Sequence, residues 1–148
     1  MKKLLASALA ATLLLSCQLG LKSADEALLR IEVTDLKNAD GALRISVFST
    51  PNGFLKDDSK AHARGVLRAN DDRHFLEFKL PAGTYAVAIL HDQNDNGRLD
   101  TNFLGIPSEG YGVSNNPKPR FRAPKFKEAI FTLPAEGKTS TVSLQYVG

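Results

Sequence analysis

Apolar residues recur at every second position along most of this chain, and a period of two predicts strands rather than helices. Leu29, Ile31 and Val33 alternate with Arg30, Glu32 and Thr34. Leu43, Ile45 and Val47 repeat the pattern after Asn38-Ala39-Asp40-Gly41, whose Asp-Gly pair is a strong hairpin signal. Pro51-Asn52-Gly53 ends the second strand, and the polar stretch 54–63 has room for one helical turn before a strand near 63–69. Asn70-Asp71-Asp72 is a turn, after which His74, Leu76, Phe78 and Leu80 face one side and Arg73, Glu77 and Lys79 the other. Residues 86–90 are apolar at both alternations, so the strand they form is predicted to be central. Residues 130–133 and 141–146 are expected to form a closing pair around Pro134-Ala135-Glu136-Gly137. About seven short strands with frequent turns describe an all-β chain folded as a single antiparallel β-sandwich.

Residues 101–127 break the rhythm. A connection of that length is uncommon in a compact domain unless it is functional. It is too rich in Phe, Ile and Tyr for a linker, and Phe103, Leu104, Ile106, Tyr111 and Phe121 are expected to pin it to the sandwich as one long ordered loop.

At the root of that loop stands His91-Asp92-Gln93-Asn94-Asp95-Asn96-Gly97-Arg98-Leu99-Asp100. Asp92, Asn94, Asn96 and Asp100 take the first, third, fifth and ninth positions of an EF-hand-type calcium loop. Arg98 takes the seventh, where such a loop uses a backbone carbonyl, and Gly97 the sharp turn. Calcium is a hard cation that takes roughly six to eight oxygen ligands, and oxygens on alternate residues can wrap it. Position twelve is Phe103 rather than Glu, so Asp100 or a later residue such as Glu109 must close the shell. The alternative is a metal-free turn, because Asp, Asn and Gly also cap their own backbone and tolerate left-handed conformations.

The N-terminus reads as an export signal. Lys2 and Lys3 precede an apolar run, 4–15, that is too short to span a membrane. It ends at Ser16-Cys17, a small residue before the chain's single cysteine, which points to a lipoprotein signal over 1–16 with lipidation of Cys17. A tether over 17–27 and a domain over 28–148 follow. Gln18, by the same likeness to lipoproteins, points to the periplasmic face of the outer membrane; soluble periplasmic or secreted protein is the alternative. The expected partners therefore include a membrane, reached through the lipid. Without 1–16 the chain loses Lys2 and Lys3 and keeps 17 basic against 16 acidic residues, so its formal charge of +3 is no argument for nucleic acid. The single cysteine leaves the domain without a disulfide, and a bound ion would supply a cross-link in its place.

Catalytic chemistry finds little support. His62, His74 and His91 lack zinc-like spacing. Ser108 and Ser114 carry no nucleophile motif, and calcium would consume two of the three loop carboxylates Asp92, Asp100 and Glu109. His91, which flanks the Asp92 loop, is expected to hold the loop backbone by a ring hydrogen bond. Lys118, Arg120, Arg122, Lys125 and Lys127, interleaved with Pro and Phe and with no acid between Glu109 and Glu128, form a stiff basic segment. It suits an anionic envelope component or an acidic protein edge, or else it is a solvated loop.

The motifs Leu80-Pro81-Ala82-Gly83-Thr84-Tyr85-Ala86-Val87, His91-Asp92 through Asn96-Gly97, Leu99-Asp100-Thr101-Asn102-Phe103-Leu104-Gly105-Ile106-Pro107, Gly110-Tyr111-Gly112 and Ser114-Asn115-Asn116 resemble the bacterial family called Domain of Unknown Function 2141. The resemblance implies a secreted bacterial protein with an immunoglobulin-like or transthyretin-like sandwich. The expectation for function is a non-catalytic, calcium-stabilised envelope module presenting 101–127 to a partner. The alternative is a transthyretin-like enzyme or small-molecule carrier with a cleft under that loop.

Overall fold

The computed structural model describes residues 25–147. The expected signal segment and Cys17 lie outside the described residues, and the last tether positions, Glu26 and Ala27, already belong to the first strand. Among the described residues eight strands form: β1 (Glu26–Thr34), β2 (Ala42–Phe48), β3 (Ala63–Arg68), β4 (Phe75–Pro81), β5 (Gly83–Asp92), β6 (Gly110–Val113), β7 (Phe131–Leu133) and β8 (Lys138–Ser143). A single helical turn, α1 (Phe126–Ala129), precedes β7, and a short 3-10 turn spans Asp58–Lys60.

The strands make a sandwich. One sheet has the order β4-β1-β8, and the other runs β3-β2-β5-β6, with β7 also on β5. The alternation seen in the sequence sets the inner faces: Leu29, Ile31 and Val33 of β1 meet Leu43, Ile45 and Val47 of β2 and Val87 and Ile89 of β5 in one core. Each such fully buried side chain contributes about 1.5–3 kcal/mol relative to exposure. As expected, β5 is central and apolar on both faces. Its outer face is covered near Ala86 by a second cluster, in which Phe54 stands edge-on to Phe48 and to Phe126 at 5.5 and 5.6 Å.

The strand positions follow the sequence pattern more closely than the pairings do. Asp40-Gly41 makes no hairpin, because β1 and β2 lie in different sheets. Gly41 adopts φ +66° so that the crossover can lie against the end of β5, where a Cβ would meet the Asp92 carbonyl oxygen. The two last strands are not a closing pair either. β7 joins β5 antiparallel, and β8 crosses to the other sheet and runs parallel to β1, so the sandwich is not wholly antiparallel.

The expected single loop over 101–127 is two loops, 93–109 and 114–130, divided by β6. The side chains expected to pin it mostly do not: Phe103 and Phe121 are fully exposed, and Leu104 and Ile106 are exposed as well. Tyr111, on β6, is half-buried. The second loop is held instead by Phe126, Ala129 and Ser114.

Candidate functional site

The 93–109 loop leaves β5 at Asp92, which is fully buried. Its carboxylate closes the loop locally: Oδ1 accepts the Asn96 N–H at 3.0 Å, and Oδ2 accepts the Gly97 N–H at 2.8 Å. Oδ2 also accepts the Arg44 Nε–H at 2.6 Å, from the neighbouring strand β2. Burial alone would raise the Asp92 pKa, but the Arg44, Gly97 and Asn96 donors and the Arg44 charge outweigh it and hold the carboxyl below its ordinary value.

The other expected ligands gather on Asp100. The Asn94 and Asn96 amide groups donate to its Oδ2 at 2.6 and 2.8 Å. Their own oxygens accept local backbone N–H groups, Asn94 from Asn96 and Asn96 from Arg98. The Arg98 side chain is 80% exposed and pairs loosely with Asp100, Nε to Oδ1 3.9 Å. Glu109, the residue considered for closing the shell, is buried, with its Oε1 accepting the Gln93 N–H and its Oε2 the Asp100 N–H. It therefore staples the two ends of the loop. Asp95 pairs with Arg68 of β3 at 2.8 Å.

The donor set suits a hard cation in type, since oxygens of Asp92, Asn94, Asn96, Asp100 and Glu109 surround one short loop. Two features count against a tight site. Arg44 already gives Asp92 a positive partner, and among the described residues no three carboxylate, histidine or cysteine side chains converge on one point.

His91 is fully buried and holds backbone through its ring, but that of the first crossover and not that of the Asp92 loop expected of it. Nε2 faces the Asp40 carbonyl at 2.7 Å, which can only accept, so the ring donates there. Nδ1 then accepts the Tyr146 hydroxyl proton at 2.6 Å, and the Tyr146 oxygen accepts the Lys37 N–H. Burial raises the Tyr146 pKa and keeps the phenol protonated. One imidazole thus ties the first crossover, the end of β5 and the C-terminal segment together.

The basic segment lies on the second loop. Among the described residues Arg122 is the one of its five cations that forms an ion pair, a bidentate one with Glu128 at 2.6 and 2.8 Å. Glu128 also accepts the Lys125 N–H, and Arg122 and that bond bring its pKa down to about 2. Lys118, Arg120, Lys125 and Lys127 are exposed.

Sequence reasoning did not assign a task to Ser114-Asn115-Asn116, and they organise this loop. β6 and β7 share one edge of β5 with a gap at Val87. Ser114 fills it: its N–H donates to the Val87 carbonyl, its Oγ accepts the Val87 N–H at 2.8 Å and donates to the Ala129 carbonyl at 2.5 Å. Asn115 donates to the Ile130 carbonyl, and Asn116 bonds both Thr141 and Ser143 on the free edge of β8. Both asparagines have positive φ, 65° and 48°, which Asn tolerates better than other side-chained residues. Two successive asparagines after a strand were the signal available in the sequence.

The two loops attach to opposite ends of β6. Glu26 pairs with Pro81 beside the start of β5, while the 93–109 loop rises from its end. The chain therefore enters at one pole of the sandwich and carries Phe103 and Leu104 at the other. A strand of this length spans about 30 Å.

A family profile described as an uncharacterized protein conserved in bacteria, DUF2141, matches residues 31–142. No curated protein and no solved structure matches the chain. The matched span runs from the middle of β1 into β8 and includes both loops, most of the sandwich: the chain belongs to the DUF2141 family.

Proposed function

We propose that this protein is a non-catalytic binding module of the bacterial envelope, which uses the tip of its 93–109 loop to dock a partner. The observation that carries the reading is the contrast within that loop. Its base is fixed by buried Asp92 and Glu109, while Phe103 and Leu104 at its tip are 95% and 67% exposed. Large apolar side chains held in water on an ordered base suit a partner surface. The side chains that might have been catalytic support the same reading. His91 and Ser114 are consumed by structural hydrogen bonds. Lys118, Arg120, Lys125 and Lys127 offer a second, anion-seeking surface on the flank, to which Arg122 adds little because Glu128 neutralises it.

Calcium belongs to this reading as a structural ion. Asp92, Asn94, Asn96 and Asp100 side chains, with the Arg98 carbonyl, would hold it, and Glu109 would brace the loop. Asp92→Ala is a poor test because Asp92 is the buried last residue of β5. Asp100→Ala is the better one. Millimolar calcium is expected to raise the melting temperature by several degrees over chelator, as binding to the native state alone requires, and Asp100→Ala to erase that rise. A wild-type melting temperature indifferent to calcium leaves a metal-free Asx loop braced by Arg44. The docking reading is tested separately: Phe103→Ser with Leu104→Ser is expected to abolish capture of a defined partner from envelope extract, and capture at wild-type levels would overturn it. Anchoring through Cys17 predicts fatty-acid labelling that Cys17→Ala removes; an unlabelled wild-type protein refutes it.

A further inference from the structure

The outer face of the five-stranded sheet carries a groove of about 480 Å³, bounded on one side by Gly97, Arg98 and Leu99 at the base of the 93–109 loop. Strand alternation turns Arg44, Ser46 and Phe48 of β2 outward, opposite the core residues Leu43, Ile45 and Val47. Ala88 and Leu90 of β5 and Tyr111 of β6 complete the floor, and Leu55 and Leu99 flank it. The volume lies in the range of small-molecule sites, and the lining is mixed, with an apolar strip between charged residues at both ends.

Three observations here are not explained by the fold. Ser46 is more than nine-tenths buried, yet its hydroxyl makes no hydrogen bond among the described residues. No fully buried polar side-chain atom lacks a partner among those residues, so the Ser46 hydroxyl is the part of the residue that opens to the groove. Leu55 holds φ +61°, a strained conformation for a non-glycine residue, and leaves its side chain 38% exposed at the groove's edge. Arg44 is fixed through Nε by Asp92, which leaves the terminal nitrogens of its fork oriented and free of any other ion pair among the described residues.

The charges have an order. Arg44 and Arg98 stand at the end nearer the 93–109 loop. Asp57 and Asp58 stand at the other end beside Lys56. Asp57 spends Oδ1 on Ser59, and Asp58 faces Arg64 at 3.6 Å. Arg44 and Phe48, which mark the two ends on β2, are about 13 Å apart along the strand. That exceeds the screening length of about 8 Å at physiological salt. The Asp57–Asp58 end therefore does little to repel an anion at the arginine end. There Arg44 already pairs with Asp92 at 2.6 Å and Arg98 stands 3.9 Å from Asp100, so an anion would meet the terminal guanidinium N–H groups rather than two unbalanced charges.

We propose that this groove binds a small amphiphilic carboxylate. The head sits on the Arg44 and Arg98 guanidinium groups, and the apolar body lies over Ala88 and Leu90 between Leu55 and Leu99. The inference is independent of the docking tip; it shares Asp92, the partner of Arg44, with the calcium reading, and the titration is therefore run both in chelator and in calcium.

The test is an NMR titration of the protein with octanoate and with 2-naphthoate, each against its neutral alcohol, in chelator and again in calcium. Saturable shifts are expected at the amides of Ser46, Ala88, Leu90 and Tyr111, with the carboxylates binding about tenfold tighter than the alcohols through charge-assisted hydrogen bonds. Ser46→Leu is expected to fill the floor and abolish binding. Arg98→Gln, at an exposed position that does not threaten folding, is expected to weaken the carboxylates severalfold and leave the alcohols unchanged. No saturable shift with either carboxylate overturns the proposal. So do shifts confined to 103–106, equal affinity for acid and alcohol, or an Arg98→Gln protein that binds the carboxylates as tightly as the wild type.

Discussion

The two loops that flank β6 solve the same problem with different chemistry. Each must leave a strand of the central sheet, cross open surface and return. Loop 93–109 is fastened by charge: Asp92 and Glu109 are buried and accept backbone N–H groups, and Arg44 balances Asp92. Loop 114–130 is fastened by neutral groups, the Ser114 hydroxyl and the Asn115 and Asn116 amides, and by Phe126 and Ala129 against the sheet. The neutral loop folds back on the body of the sandwich and buries part of its apolar content. The charged loop has a firm base and leaves its apolar residues outside. A loop fastened by buried carboxyl groups at its root does not need its tip for stability, which leaves the tip available to the proposed partner.

Mutation of the two fasteners is expected to separate the loops most strongly. Asp92→Ala leaves a part-buried Arg44 without its partner and two loop N–H groups without an acceptor. It is expected to cost about 3 kcal/mol or more by chemical denaturation. Ser114→Ala removes a neutral hydroxyl and orphans the Val87 N–H, with an expected loss of about 1–3 kcal/mol. Equal costs would mean that Arg44 relaxes into solvent and that the charged root is weaker than its burial suggests.

Acid is expected to sharpen the contrast. The folded-state pKa of Asp92 lies below its ordinary value of 3.8. The stability it contributes is therefore complete above that value and is lost as pH falls through the lower, folded one. Hydrogen exchange in that window is expected to show the Asn96 and Gly97 amides losing protection before those of Val87 and Ser114. The surface pair Arg122–Glu128 on the neutral loop is expected to persist until pH about 2, the depressed pKa of Glu128. The smallest effect is expected at the tip. Phe103→Ser, at a fully exposed position, is expected to change stability by no more than about 0.5 kcal/mol in the same denaturation assay.

The sequence made the inner faces legible because burial on a strand is a local, two-residue period. Leu29, Ile31, Val33, Leu43, Ile45, Val47, Leu76, Phe78 and Leu80 all turn to the main core or pack against it. Pairing was less legible, because the residues that shape a turn do not encode which sheet the chain enters next. Asp40-Gly41 has hairpin chemistry, yet Gly41 serves a close approach to Asp92 at a crossover. β6 escaped notice because Gly-Tyr-Gly-Val is poor strand sequence. Its glycines answer to distant neighbours: a Cβ on Gly110 would strike the Tyr146 ring, and one on Gly112 would meet Val142 and the Ser143 carbonyl. In the loops, the alternate Asx spacing correctly marked a network around Asp92 and Asp100. The partnership of Arg44 with Asp92, 48 positions apart in sequence, left no local trace.

The place of β1 has a mechanical consequence. β1 is the middle strand of its sheet, in register with β4 over seven residue pairs and with β8 over six. The chain enters it at Glu26, and the apolar tip stands at the far pole. Tension between the N-terminal end and anything gripping that tip therefore runs largely along β1. Its hydrogen bonds lie roughly across the pull and resist in shear, many at once, rather than opening one after another from an end. Pulled from its start, the domain should yield late and abruptly, whereas a strand at the sheet's margin would peel away under far less force.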